Sequence, residues 1–512
     1  MPDLPSHLRA LARAALLGAA CASILPAAPS LAADVSVQRV WRFAHAAPGG
    51  VDGQKAEIVA HDDRTDTLWV AGVAGVDVLD RATGQRLAAI DVRHLGAVNS
   101  VAIRDGLAAL ALESSVDRTL PGVVAFFDTR TRLQDGAPVT VGSLPDMLTF
   151  TPNGRQVLVA NEGTPNPRPT PAGLSDADPV GSVSIVDVRT RTVTTLPIDA
   201  SIPGYDRLRL FPVAGTLPTQ PAAYSAYDPE PEYIAVDPDG RRAHVVLQEA
   251  NGIAVLNLQT QAFERIHDLG LKDFSAPGNE IDPSDRDGRI ELRRVPVQGL
   301  YQPDTIATFA ARGRTWLAMA NEGDARDNGD GDGEDERRGD AGPADVEYVP
   351  ASSELARTTF SNVDSARGGA LVKFGGHSLS IRDTDGRVVY DSGSLLDREA
   401  IRLGIYDDGR SDNKGVEPEG LALLPVEGRV IAFVGLERTL KAAFAVFDVT
   451  DPQHVRHVDT IVSEDDRSPE GLAAFRVGSR YYVAVAHEVS DSTSLFEISV
   501  FKGQGAANGP AR

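Results

Sequence analysis

A chain of 512 residues with 72 acidic and 50 basic side chains carries a formal charge of -22, which argues against nucleic acid as a partner and for attraction of cations. That length exceeds one ordinary hydrophobic core unless the fold is a closed repeat that grows around an axis. With Cys21 as the single cysteine, disulfides are excluded from the rest of the chain, and its stability must come from packing and bound ions.

Residues 1–33 read as an export leader: Arg9 and Arg13 precede the apolar stretch AALLGAACASIL, and small residues offer a cleavage point after Ala32 or Ala33. A cleaved, periplasmic or secreted protein is therefore expected. Cys21 follows Leu17-Gly18-Ala19-Ala20, but a lipobox needs its leucine one place closer, which makes a lipid anchor the lesser alternative. No later stretch approaches the ~18 apolar residues of a membrane helix, so no membrane span is expected.

From there on the chain repeats itself. VNSVAIRDGLAALALES from Val98, LPDMLTFTPNGRQVLVANEG from Leu144, EPEYIAVDPDGRRAHVVLQEANG from Glu230, QPDTIATFAARGRTWLAMANEG from Gln302, EPEGLALLPVEGRVIAFVGLER from Glu417 and SPEGLAAFRVGSRYYVAVAHEV from Ser468 share one grammar. Each has a polar or acidic anchor, an alternating apolar run, a Gly-containing turn, a second apolar run and a glutamate. A weaker copy from Lys55 ends in Gly72. Turns of this kind between period-2 runs signal β-hairpins. A third strand follows most hairpins (GVDVLDRATG, GVVAFFDTRT, GSVSIVDVRT, GIAVLNLQT, AFAVFDVTD, and GALVKFGG in the fifth unit). Fourth strands follow at RLAAIDV, TVTTLPI, VVYDSGS and VRHVDTIV, whereas the last unit stops after SLFEISVF and lacks one; SVQRVWRF at 36–43 can supply it. The expectation is an all-β, seven-bladed β-propeller over residues 34–503, closed by its N-terminal strand, with a disordered tail at 504–512. SSELARTTF near Ala356 is the best short helix candidate.

The anchor-to-glutamate distance is nearly constant: 14 positions for Asn99 to Glu113, 16 for Asp146 to Glu162, 17 for Glu232 to Glu249, and 18 for Asp304 to Glu322, Glu419 to Glu437 and Glu470 to Glu488. Both hairpin ends should then meet at one rim of a central channel. One carboxylate per unit reads as a brace for the neighbouring blade. A pair in most units raises an equally weighted alternative, a hard metal with oxygen ligands, and calcium tolerates six to eight of these in loose geometry. The candidate metal ligands are Asp146, Glu162, Glu232, Glu249, Asp304, Glu322, Asp324, Glu419, Glu437, Glu470 and Glu488.

Insertions at 163–180, 323–368 and 375–416 leave the same rim, the second containing the acidic run DARDNGDGDGEDERRGD. Asn328, Asp330, Asp332 and Gly333 imitate a calcium loop, but Gly339 stands where an EF-hand needs its bidentate glutamate. Motifs for serine, zinc or P-loop chemistry are missing. His487 is expected to face a neighbouring blade. Arg326, Lys414 and Arg438, with Arg410, lie next to acidic motifs, where they either complement a phosphate or pair with the same glutamates. Hydrolysis by metal-activated water stays open.

ANEG at Ala160–Gly163 and Ala320–Gly323, the extension ANEGDARD, SDNKGVEPEGL, GLER and SPEGL resemble the exported choice-of-anchor I proteins. These are similar in turn to the mesenchyme-specific cell-surface glycoprotein group and, more distantly, to esterase-like phytase propellers. Residues carried by the resemblance are Asn161, Glu162, Asn321, Glu322, Asp324, Arg326, Glu417, Glu419, Glu437, Glu470 and Glu488. It implies calcium-dependent hydrolysis of a small phosphorylated substrate, as in relatives labelled alkaline phosphatase or phytase-like. The alternative is a non-catalytic propeller, monomeric, that binds a ligand, surface polymer or protein at its acidic rim. TLKAAFAVFD follows GLER where the family pattern has a glycine-rich continuation, which puts the role of Arg438 in doubt.

Overall fold

The computed structural model describes residues 35–164, 179–210, 229–326, 335–341, 349–350, 352–368 and 370–501. Residues 1–34 and 502–512, residues 165–178 of the first expected insertion, and residues 327–334 of the acidic run, with Asn328, Asp330, Asp332 and Gly333, lie outside them.

Among the described residues the chain forms seven four-stranded antiparallel sheets in sequence order, a propeller-like arrangement. They span 58–91, 98–143, 145–197, 231–268, 306–391, 418–463 and 469–500, the last completed by Val35–Ala44. Hairpin chemistry sets the first two strands: Asp105-Gly106, Arg312-Gly313 and Glu427-Gly428 all take positive φ, which matches the turn to the right-handed twist of the strands. Second and third strands are apolar on both faces and buried, as in Thr67–Gly72 and Gly75–Asp80, because each sheet packs against a sheet on either side. Fourth strands such as Val193–Pro197 are half-exposed and polar.

A separate hydrophobic cluster fills each junction between consecutive sheets. The seventh and first sheets share one too, in which Val59, Leu68 and Leu79 pack with Tyr482, Ala484 and Leu495. The N-terminal strand pairs antiparallel with Ser492–Val500, from Val35 opposite Val500 to Ala44 opposite Ser492.

The fifth unit departs from expectation. Its third strand is Ser378–Asp383, not GALVKFGG, whose Leu371–Lys373 joins a separate three-stranded sheet with Leu271–Asp273 and Val297–Leu300. Residues 375–416 are accordingly not one rim loop, since Ser378–Asp383 and Val388–Asp391 are the outer strands of the fifth sheet. SSELARTTF is not helical: Leu355 and Ala356 are buried by turns that lead into the strand Thr359–Ser361. The helices are α1, Asn362–Gly368, and α2, Leu395–Leu403, which buries Leu396 and Ala400 against the fifth and sixth sheets.

In the sixth and seventh sheets a glycine follows the anchor glutamate because adjacent first strands touch. Gly471 donates its N–H to the Glu57 carbonyl at 2.9 Å, and a Cβ there would lie 2.4 Å from that oxygen. Gly471→Ala is therefore expected to cost ~1–3 kcal/mol of stability, as for other overpacked sites. Chemical denaturation measures this, and a loss below about 0.5 kcal/mol, the range of neutral surface changes, would contradict so close an approach.

Candidate metal centre

Four first strands open with a residue in the left-handed region followed by proline and a carboxylate: Leu144 (φ 44), Gln302 (φ 40), Glu417 (φ 48) and Ser468 (φ 55). That conformation is costly for a non-glycine residue, and tertiary contacts hold it. The Glu162 N–H donates to the Leu144 carbonyl at 2.9 Å, Glu437 to Glu417 at 3.0 Å, and Glu488 to Ser468 at 2.9 Å. These bonds tie the two ends of each hairpin together. Strand register shifts at the anchor itself, between Pro145 and Met147, Pro231 and Ile234, Pro418 and Leu421, and Pro469 and Leu472. Such bulges take a side chain out of the alternation of the strand and re-aim it.

The re-aimed side chains share one space. A cavity of about 160 Å³ is lined by Glu57, Asn99, Asp146, Tyr233, Asp304, Glu419 and Glu470, one residue from the start of each of the seven sheets, with Ile58, Met147, Leu421 and Leu472 among its apolar walls. Among the described residues no lysine or arginine lines it.

Around this cavity one triad recurs: the anchor of a sheet, its terminal glutamate and the anchor of the next sheet. Asp146, Glu162 and Glu232 form it at the third sheet, Asp304, Glu322 and Glu419 at the fifth, and Glu419, Glu437 and Glu470 at the sixth, with ligand atoms within 4.8 Å of one another in each. Glu322, Glu417 and Glu437 make a further group. Only oxygen donors are present, which suits a hard cation.

Three predicted ligands, Glu249, Glu488 and Asp324, lie outside these groups but within their field. Glu249 is buried, and its charge raises the pKa of Glu162 and Glu232. The charge of Glu488 raises that of Glu57 and Glu470. Asp324 sits further out, half-exposed, and accepts Lys414 Nζ at 2.9 Å. The predicted phosphate ligands are ion-paired with acids. Lys414 also lies 3.4 Å from Glu417, Arg438 reaches Glu437 at 2.7 Å, and Arg326 faces Glu230 at 3.5 Å. Arg410 pairs with Glu417.

Among residues carried by the resemblance, Asn161 and Asn321 brace their own sheets, and Asn161 Oδ1 also accepts the Gly142 N–H of the second sheet at 3.1 Å. Asn161 Nδ2 donates to Ser184 Oγ at 2.9 Å and Asn321 Nδ2 to the Ser378 carbonyl at 2.9 Å. His487 is buried beside Asp466 at 3.5 Å, and burial pushes its pKa down to about 4.

Glu57 is not among the predicted ligands, although KAEIVA places it at the head of its first strand, directly before Ile58. Nor does any sequence signal mark the buried chain in which Lys373 Nζ lies 2.6 Å from His377 Nε2, and His377 Nδ1 3.2 Å from Asp397. It braces the three-stranded sheet against α2.

Burial, then neighbouring carboxylates, raises these acids. Asp146 is pushed up to about 6, mainly by burial; Glu57 and Asp304 reach about 7, and Glu249 about 8. Glu162, Glu232, Glu322, Glu419 and Glu470 lie well above the usual range for the same reason. Burial also raises Glu437, which Arg438 holds partly down. Burial opposes the charge on Lys414, but Asp324, Glu322 and Glu417 outweigh it and raise its pKa.

The choice-of-anchor I domain family model matches residues 57–452, and the chain belongs to that family. No curated protein matches it in sequence. Among solved structures it is similar to hydrazine synthase of Kuenenia stuttgartiensis at 11% identity and a TM-score of 0.48, over 90% of this chain and 99% of that one. No helix among the described residues is long and apolar enough to cross a membrane.

Carboxyls with raised folded pKa values favour the native state while protonated, and that advantage is lost as pH rises through those values. In chelator, the melting temperature should therefore fall from about pH 4, where the unfolded carboxyls ionise, to about pH 8, the highest of the folded values of Asp146, Glu57, Asp304 and Glu249. A melting temperature that climbs across this interval would contradict the buried-carboxylate description.

Proposed function

We propose that the protein is an extracellular or cell-surface seven-bladed β-propeller, closed by its N-terminal strand, that holds calcium in the acidic mouth of its axial channel. The observation that carries this reading is the recurrence of one carboxylate triad at three sheets around a cavity without a basic wall residue. Isolated buried carboxylates are costly, and a divalent cation removes the cost at all members of a triad together. The donor set fits: Glu419 Oε2 is buried with no hydrogen-bond partner among the described residues. An oxygen-only cage without His or Cys favours calcium over zinc. Membership of the choice-of-anchor I family supports a location outside the cytoplasm.

Hydrolysis of a small phosphorylated substrate is the second reading. It is favoured by Arg438, whose side chain is 40% exposed beside Glu437 and Glu417, a position from which a guanidinium can meet phosphoryl oxygens. A bound calcium would supply polarisation of the phosphoryl group and an activated water. Lys414 and Arg326, both buried in ion pairs, serve this role only by exchanging partners.

Addition of calcium to chelated protein should raise the melting temperature, because a ligand specific for the native state stabilises it by about 2.7 kcal/mol at a hundredfold excess over Kd. An unchanged melting temperature would refute the metal reading. Turnover of a chromogenic phosphomonoester or phytate that needs calcium and falls at least tenfold in Arg438→Met is expected of the hydrolase. Calcium binding without turnover at neutral to alkaline pH leaves a non-catalytic module that binds a ligand, surface polymer or protein.

A further inference from the structure

Lys373, His377 and Asp397 are 0%, 2% and 1% exposed, and their contacts fix where the protons lie. A carboxylate can only accept, so His377 Nδ1, 3.2 Å from Asp397 Oδ2, carries the ring hydrogen, and Nε2 accepts from Lys373 Nζ at 2.6 Å. The imidazole is therefore neutral. A second proton on it would set two donors and two positive charges face to face at that distance. The site is walled by the Phe274 ring, 5.4 Å from Nζ and 5.7 Å from the imidazole.

These three side chains lie directly beneath a segment of the rim. A Cβ on Gly415 would stand 2.6 Å from His377 Nδ1 and 2.9 Å from Asp397 Oδ1, so nothing separates the imidazole from the backbone between Lys414 and Glu417. That segment delivers Lys414 to Asp324 at 2.9 Å and pairs Arg410 with Glu417. His377 itself is held at φ 53, a conformation costly for a non-glycine residue and sustained by its contacts. Among the described residues, the other charged groups that act on the pair are Lys272 from the three-stranded sheet and Asp412, Lys414 and Glu417 from the rim segment.

We propose that Lys373, His377 and Asp397 form an acid-sensitive latch: protonation of His377 breaks its contact with Lys373 and releases residues 410–417 from the mouth. The latch works whether or not the mouth holds a cation. Burial and then the Lys373 charge push His377 down to about 4, and burial pushes Lys373 down to about 7 against the pull of Asp397, Glu417 and Asp412. Between those values the pair holds one ammonium and one neutral ring. A base with a depressed folded pKa binds fewer protons in the native state than in the unfolded one. Its share of stability is therefore lost as pH falls from about 6.5, the unfolded value, to about 4, the folded one.

Hydrogen–deuterium exchange of the full chain between pH 7 and pH 4, corrected for the intrinsic rate of amide exchange, tests this. Residues 371–377 and 410–417 should lose about tenfold or more in protection over that range, while Thr67–Gly72 and Gly75–Asp80 of the first sheet lose less than about threefold. In His377→Gln the protection of both segments should change less than about threefold, whatever its level at pH 7. Lys373→Met, which removes the facing charge and leaves the imidazolium to rest against Asp397, should behave likewise. Protection lost by all sheets together would overturn the latch, as would protection retained by the wild type down to pH 4. The same loss in His377→Gln as in the wild type would assign it to protonation of Asp324, Asp412 or Glu417 and would overturn the latch too.

Discussion

The first strands of the seven sheets meet at one small cavity, and the narrowness of that meeting governs the rest. Where Gly471 bonds to the Glu57 carbonyl, and where a Cβ on Gly420 would stand 2.0 Å from the Glu470 carbonyl, backbone touches backbone and no side chain fits between. Side chains at the strand starts can then go only into the small axial cavity. At four of the sheets the residue before the anchor proline adopts a strained φ, and the carboxylate that follows the proline is delivered to that cavity. A local cost of order 1–3 kcal/mol at each such residue is sustained by the packing between consecutive sheets.

Convergence creates an electrostatic problem that the chain solves unevenly. Carboxylates near one another in a poorly solvated space either protonate or recruit positive charge. Around the fifth and sixth sheets the segment that follows α2 brings Lys414 and Arg410 back to the rim, and Arg438 follows the sixth sheet's second strand. At the third and fourth sheets, among the described residues, Arg118 acts on Asp146 and Glu162, and Arg209 on Glu249, through their fields. A repeated sheet geometry is thus combined with ion pairs that differ from sheet to sheet.

Much of this is legible in the sequence because hairpins are local objects. Period-2 runs, Gly turns and the constant spacing between anchor and glutamate identify the strand pairs, and the missing last strand points to SVQRVWRF. The fifth unit misleads because its third strand is separated from its second by an insertion that supplies strands of its own. GALVKFGG has the right composition for the vacancy, and which apolar run fills it is decided by tertiary packing. Helix α2 escapes notice for a similar reason: nine residues with Leu396 and Ala400 inward give too short a periodic signal. Glu57 is hidden because its partner position holds Gly72, which breaks the pairing by which the other anchors are found. Ion pairs such as Lys414 with Asp324, 90 residues apart, have no local signature.

The closing strand has a consequence for orientation. In the seventh sheet, Pro469 pairs with His487, and Ala44 and Ser492 lie at that same end. Val35 and Val500 pair at the other end, beside the turn that joins Val477 to Arg480. Both ends of the described chain therefore leave from the side opposite the acidic mouth. A force applied at either described end would therefore load the seventh sheet at the edge remote from Pro469 and His487.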